Sequence, residues 1–392
     1  MDNVFREIKN GNLSGVKKAA EAGTLLGEYS AAGLTPLGAA ILHKRADIVK
    51  CLLEAGADIQ LGYKSESCQD KDKLQPNWPE VSPPIHCAAA SGAADLVRIL
   101  VDHGADVNDP SGLDYGAEIL PLFAATGHAT QALIELGADV SRMNAVRFTP
   151  LVHAIAREDV HSARLLVEHG ADVEIERMAK YRIRIASSGD AKDSGEQVVQ
   201  GTSSPLMVAG HQGRLRHTSA QMIEILAAGG ADVNRRYLIK SAAGDVSFAL
   251  LSLICCSRVP IPKLKGQYAT DLLYGEKEVA TIRALIAAGA DVTDPPVLGY
   301  VCEGEMPFSD FRPRLEVLKL LIQHGALANS SAGIAAQTAL LKSFRKEAEA
   351  ELQFQDMAQA LAEAGAYWDV PEDLDQAVMP KYLNRRLHNG SN

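Results

Sequence analysis

Leu52-Leu53-Glu54-Ala55-Gly56-Ala57-Asp58 is the stretch whose reading decides the fold, because it recurs down the chain. Copies stand at Leu100-Val101-Asp102-His103-Gly104-Ala105-Asp106, Leu133-Ile134-Glu135-Leu136-Gly137-Ala138-Asp139 and Leu166-Val167-Glu168-His169-Gly170-Ala171-Asp172. Others end in Gly230-Ala231-Asp232, Gly289-Ala290-Asp291, Gly325-Ala326-Leu327 and Gly365-Ala366-Tyr367, and a degraded first copy is Glu21-Ala22-Gly23-Thr24. Apolar residues followed by glycine read as a helix stop, since glycine takes the left-handed conformation without a Cβ penalty. Successive glycines lie 33, 48, 33, 33, 60, 59, 36 and 40 residues apart. The recurrence at 33 with longer intervals between describes a repeat array that carries insertions.

The segments between glycines show how each unit opens. Thr35-Pro36-Leu37 places a capping hydroxyl before a proline at the first helical position, where the missing N–H is not needed. Comparable openings are Pro83-Pro84-Ile85-His86-Cys87-Ala88, Leu120-Pro121-Leu122-Phe123-Ala124-Ala125, Thr149-Pro150-Leu151-Val152-His153-Ala154 and Ser204-Pro205-Leu206-Met207-Val208-Ala209. After a turn at 43–46, Asp47 is expected to cap a second helix over Ile48 to Glu54. For later openings the best matches are Ser247-Phe248-Ala249 and Gln337-Thr338-Ala339.

Five openings and eight closings in one order resemble the ankyrin repeat family, whose unit is a β-hairpin finger followed by two antiparallel helices. The resemblance implies an all-α repeat solenoid of about nine helix-turn-helix units with β-hairpin fingers. The array is expected over residues 1–370, with a capping unit at 1–23 and a capping helix and tail at 371–392. It also implies protein recognition, no cofactor and no metal; a monomer is expected.

Used as a ruler, the glycines locate the insertions. Gly56 to Pro83 is 27 residues against a template of 12, which puts an extended finger near 61–82, with Trp78 in it. Gly170 to Ser204 is 34, which extends a finger near 174–203; Tyr181-Arg182-Ile183-Arg184-Ile185 alternates as a strand does. Further insertions near 257–275 and 299–312 fall between the two helices of their units, and Leu341 to Gln355 reads as a lengthened helix.

Bulk properties narrow the function. A net charge of −10 argues against a general nucleic-acid surface, which must displace counterions with basic side chains. The six cysteines form no C-x-x-C pair, Cys51 and Cys87 read as core, and a signal peptide is not apparent; together these suggest a reducing cytosol. The longest apolar run, Phe248 to Cys256, is too short to span a bilayer.

Motifs of catalysis are not apparent: the chain has no nucleophile elbow, phosphate-binding glycine loop or H-E-x-x-H string. His103, His169 and His324 share one position just before a repeat glycine, where the dipole of a helix C-terminus favours a partly cationic imidazole, a routine repeat residue. His86 and His153 sit at or beside the opening motif, where the resemblance implies a structural hydrogen bond to backbone. An enzyme with an active site in the irregular unit between Pro295 and Gly325, near Cys302, Glu303 and Glu305, is the alternative of a different class.

Charge is concentrated in three stretches. Residues 141–147 hold Arg142 and Arg147; residues 177–184 hold Arg177, Lys180, Arg182 and Arg184; residues 234–240 hold Arg235, Arg236 and Lys240. Nine basic side chains and no acid fall within these 22 residues, with Tyr181 and Tyr237 interleaved, while the remainder carries 30 basic against 49 acidic residues. Stacking of equivalent fingers is expected to merge the three stretches on the concave edge. With Trp78, these residues are the candidate contacts to an acidic protein partner, whether the chain is an inhibitor or immunity-type protein or a bacterial effector recruiting a host protein. Glu174 and Glu176 stand beside the second stretch, where they offset its charge.

Overall fold

The computed structural model describes residues 2–22, 27–68, 81–114, 117–144, 147–187, 195–211, 218–240, 246–255, 258–260, 267–270, 276–293, 297–302, 311–326, 356–357, 359–361 and 363–365. Trp78, Glu303 and Glu305, the opening guessed at Gln337, the helix expected over 341–355 and the tail from 371 lie outside these residues. Two compact units divide the chain, Met1–Val173 and Glu174–Asn392.

The first unit stacks helix pairs: α1 (Asp2–Asn10) with α2 (Leu13–Glu21), α3 (Pro36–Leu42) with α4 (Ala46–Glu54), and α5 (Pro84–Ala90) with α6 (Ala94–Asp102). Then follow α7 (Pro121–Ala124) with α8 (His128–Glu135) and α9 (Pro150–Ala156) with α10 (Val160–Glu168). Fingers between pairs contribute β1 (Ala32–Leu34), β2 (Tyr63–Cys68), β3 (Val81–Ser82), β4 (Gly112–Asp114) and β5 (Ala117–Ile119), an antiparallel sheet in chain order.

The recurrent heptapeptide is a repeated Schellman stop. Gly56, Gly104, Gly137 and Gly170 take φ between +84° and +95°. In each copy the alanine N–H reaches back five residues to a leucine carbonyl, as Ala57 N to Leu52 O at 2.9 Å and Ala105 N to Leu100 O at 3.0 Å. The aspartate then closes an Asx turn, its carboxylate accepting from the N–H two residues on: Asp58 from Gln60 at 2.8 Å, Asp106 from Asn108 at 2.9 Å, Asp139 from Ser141 at 2.9 Å. Each segment of the motif therefore satisfies backbone groups that the helix end exposes.

Thr35 caps α3 by accepting from Gly38 N at 3.1 Å, and its hydroxyl donates to Leu61 O at 2.8 Å in the next finger. The second helix starts two residues earlier than expected: Arg45 is the N-cap of α4, and Asp47 lies in the first turn. There the carboxylate meets the positive end of the helix dipole instead of capping it.

One unit of standard length hides a rearrangement. Leu120 stands 16 residues after Gly104, against 12 from Gly137 to Thr149, and only 17 before Gly137. The additional finger residues form the β4–β5 hairpin, and α7 is cut to four residues. Ala125 is extended and Gly127 turns with φ +54° and ψ −130°. The next unit closes the gap: Arg157 donates to Ala124 O at 3.0 Å and to Phe123 O. Asp159 Oδ2 accepts from Gly127 N at 3.2 Å. Phe123 and Ala124 remain buried with Ala90, Ile119 and Leu120, and Phe148 packs on that cluster.

The second unit begins with a long hairpin, β6 (Arg177–Ser187) against β7 (Gly195–Ser203). Helices α11 (Pro205–His211) and α12 (Ser219–Ala228) follow, then β8 (Arg236–Lys240), β9 (Val246–Ala249) and α13 (Leu250–Cys255). Ser247-Phe248-Ala249, read from sequence as a helix opening, is strand, and the helix starts at Leu250. Between α13 and α14 (Glu276–Ala287) stand β10 (Arg258–Pro260) and β11 (Gln267–Thr270); α15 (Val297–Cys302) and α16 (Phe311–Gln323) come after. The six strands form one antiparallel sheet in the order β10-β11-β6-β7-β8-β9. Gly230, Gly289, Gly325 and Gly365 repeat the positive-φ stop.

Candidate interaction surface

Strand alternation sorts the basic residues before any side chain is considered. Successive positions along β6 point to opposite faces, and residues paired across strands share a face. Pairing of Lys180 with Gln200, Arg182 with Val198 and Arg184 with Glu196 sets these positions on one side. Gln200 pairs in turn with Lys240, and alternation along β8 adds Leu238 and Arg236 to that side. From the other direction, Tyr268 pairs with Ala186, Pro260 with Tyr268 and Arg258 with Thr270, so Arg258 falls on the same face.

Burial identifies that face as the outer one. Met178 is 54% exposed, and Gln200, Arg236, Lys240 and Ser247 are exposed too. On the opposite face Tyr237, Phe248 and Ser203 are buried. Six basic positions (Lys180, Arg182, Arg184, Arg236, Lys240 and Arg258) and one acidic position, Glu196, thus lie in register on the outer side of one sheet.

Three candidates change role in the structure. Tyr237 is 1% exposed, and its hydroxyl and Ser204 Oγ are 2.6 Å apart, so it is a packing residue beneath the sheet and presents no face to a partner. Strand parity explains this: Arg236 and Tyr237 are neighbours in sequence and necessarily opposed in space. Arg235 is tied to Glu174 and lies 3.5 Å from Glu176. Burial disfavours its charge, but the Glu174 hydrogen bond and the nearby carboxylates outweigh this and raise its pKa above the usual arginine value. Glu174 also accepts from Asp232 N at 2.7 Å, so the pair fastens the start of the hairpin to the Asx turn at 232–234. Arg177 stands on the inner face, opposite Ser203.

Arg236 is exposed and bound to its neighbour strand, donating to Ser247 O at 2.9 Å. Arg142 and Arg147 belong to the first unit, in the loop after the Asp139 turn, where both are exposed. Arg147 has φ +59°, and its N–H donates to Asn144 O at 2.9 Å. Of Lys180, Tyr181, Arg182 and Arg184 the structure describes the backbone position only, in β6. Arg258 was missed in the sequence because it sits in an insertion read only as lying between two helices; its pairing through β11 brings it to the others.

The five histidines at the repeat motifs make contacts within the fold. His103, His169 and His324 each donate through Nδ1 to the carbonyl four residues back (Ile99, Leu165 and Leu320) at 2.7, 2.8 and 2.9 Å. His86 is fully buried and its Nε2 donates to Ile119 O at 3.0 Å, joining its unit to the next finger. His153 packs edge-on against Phe123 and Phe148. Among the described residues no cluster of histidine, cysteine and carboxylate side chains could hold a metal ion. Likewise, no described helix is long and apolar enough to cross a membrane.

Comparison with known proteins places this architecture. Residues 85–177 match the family model described as ankyrin repeats, in three copies, and residues 32–62 match the ankyrin repeat model. Among solved structures, the human ASB11 ankyrin repeat domain aligns with a TM-score of 0.45 at 18% identity, over 74% of this chain and 98% of its own. The ankyrin repeat domain of Bcl-3 aligns with a TM-score of 0.38 at 23% identity, over 59% of this chain and 87% of its own. No curated protein sequence matches the chain.

Proposed function

We propose that this chain, an ankyrin-repeat protein through residues 32–62 and 85–177, is a non-catalytic scaffold that captures and occludes a protein partner with an acidic surface. Ankyrin repeats generally mediate protein–protein interaction. The observation that carries the finer reading is the basic outer face of the sheet in the second unit, six basic positions against one acidic. A sheet anchored on helices holds charges in place before binding, so little ordering entropy opposes association. Arginine guanidinium groups supply forked donors to carboxylates. Arg142, Arg147 and Trp78 remain candidate contacts of the same partner. Buried free thiols at Cys51, Cys87 and Cys255 support a reducing cytosol as its compartment.

Inhibition in the manner of an immunity protein is preferred over recruitment as an effector, because insertions that enlarge fingers suit a surface shaped to cover one target. The test is capture from native lysate followed by mass spectrometry, with wild type beside an Arg182→Glu/Arg184→Glu variant. Arg235 stays unchanged because its carboxylate partners hold the hairpin. A partner recovered by wild type and lost by the variant, at unchanged helical content, is expected. Equal recovery by both would overturn the assignment of the site.

A further inference from the structure

We infer that the outer face of this sheet reads an extended acidic segment whose carboxylates fall at alternate residues, laid along β6. The inference rests on the proposed binding function and narrows it to a chemical pattern. Lys180, Arg182 and Arg184 occupy alternate positions of one strand, so their Cα atoms are about 6.7 Å apart. An extended peptide repeats its own alternate side chains at the same interval. Three successive Asp or Glu residues on one side therefore stay in register over the whole run. A helix presents residues four apart every 6.0 Å or so, and falls behind by more than 1 Å over the same three charges.

Neighbouring strands widen the site. Lys240 lies two strands from Lys180 through Gln200, about 10 Å away. Arg258 reaches the row of Arg184 through Thr270 on β11, two strands off on the opposite side. The central row is thus flanked by one further basic position at either end, on opposite sides. Met178, 54% exposed and next before Lys180 on that face, gives one end of the row an apolar contact. The complementary segment carries three alternating carboxylates with an aliphatic residue at one end.

Charge limits the occupant to a short polypeptide. Residues 174–392 hold 24 basic and 26 acidic side chains, and Glu196 lies within the face itself. A long polyanion such as RNA would run past the patch onto surface of its own sign.

Fluorescence anisotropy with the full chain tests this. The probes are a labelled Ser-Glu-Ser-Glu-Ser-Glu-Ser-Leu peptide, a peptide of equal composition with its glutamates contiguous, and a single-stranded oligonucleotide. The alternating peptide should bind about tenfold tighter than the contiguous one, since in-register pairs are each worth a fraction of the total. Affinity should fall about tenfold or more in a Lys180→Glu/Arg182→Glu/Arg184→Glu variant with unchanged circular dichroism. Lys50→Glu, at an exposed position of α4 with no part in the proposed site, should leave it unchanged. Equal affinity for both peptides, or tighter binding of the oligonucleotide, would overturn the proposed pattern. Lysate capture separates the two levels: a partner still lost by the Arg182→Glu/Arg184→Glu variant would keep the binding site while the alternating rule falls. Capture and peptide binding both insensitive to the charge reversals would remove the site altogether.

Discussion

At Gly137 the backbone has φ +91°, and a Cβ placed there would meet nothing within 4 Å. Substitution there therefore meets the backbone conformation first, since the Cβ itself has room. Because a β-branched residue resists positive φ, Gly137→Val should lower stability by about 1–2 kcal/mol, measured by urea unfolding. Gly112 is the opposite case. A methyl there would overlap the His86 ring, in the one place where that ring donates to Ile119 O. Gly112→Ala should cost about 2–3 kcal/mol, from displacement of a buried hydrogen-bonded group. His86 itself makes stability depend on pH. Burial lowers its pKa from 6.5 to about 4, against the opposing pull of its backbone bond to Ile119 and the nearby Asp109 carboxylate. The unfolded chain then binds a proton between pH 6.5 and 4 that the folded chain refuses. The contribution is whole above pH 6.5 and is lost as pH falls through about 4, for a total of about 3 kcal/mol. Unfolding midpoints of wild type and His86→Gln at pH 7, 5.5 and 4 should converge as the medium becomes acidic.

Whole elements show where local chemistry stops being enough. Helix ends were legible in the sequence because glycine, the preceding leucines and the following aspartate each satisfy a nearby backbone group. Thr35 and Pro36 fix a start in the same local way. Asp47 misled by two residues, since an aspartate suits either the cap or the first turn. The shortened α7 was masked by compensation, a longer finger within an unchanged 33-residue interval. Its repair comes from Arg157, which sits 33–34 residues beyond the carbonyls it serves. Arg157→Ala should leave Phe123 O and Ala124 O without those donors and destabilise the first unit by about 2 kcal/mol. Amide exchange should quicken around α7 and α8 before it changes at α3.

For the molecule as a whole, nearest-neighbour rules account for the first unit and fall short in the second. Most of the fold followed from a 33-residue ruler because each helix pair meets only the pairs beside it. The candidate site was legible as composition, nine basic residues in three stretches, but not as geometry. Parity removed Tyr237 from the surface, an ion pair absorbed Arg235, and pairing through β11 brought in Arg258. None of these is encoded within a short window. That pairing has a consequence for how the chain reaches its native state. β11 joins β6 across about eighty residues, Gln267 opposite Ser187, so the sheet cannot close until α11, α12 and α13 have emerged. Closure over that length costs more entropy than the adjacent contacts of a solenoid, by a few-fold in rate, so the sheet is expected to form later. Pulse-labelled exchange should therefore find the amides of α3 to α6 protected early and those of β6 and β11 late. On the ribosome, the long hairpin would wait with one edge unpaired for its last two strands, a window in which edge-to-edge association is the characteristic hazard.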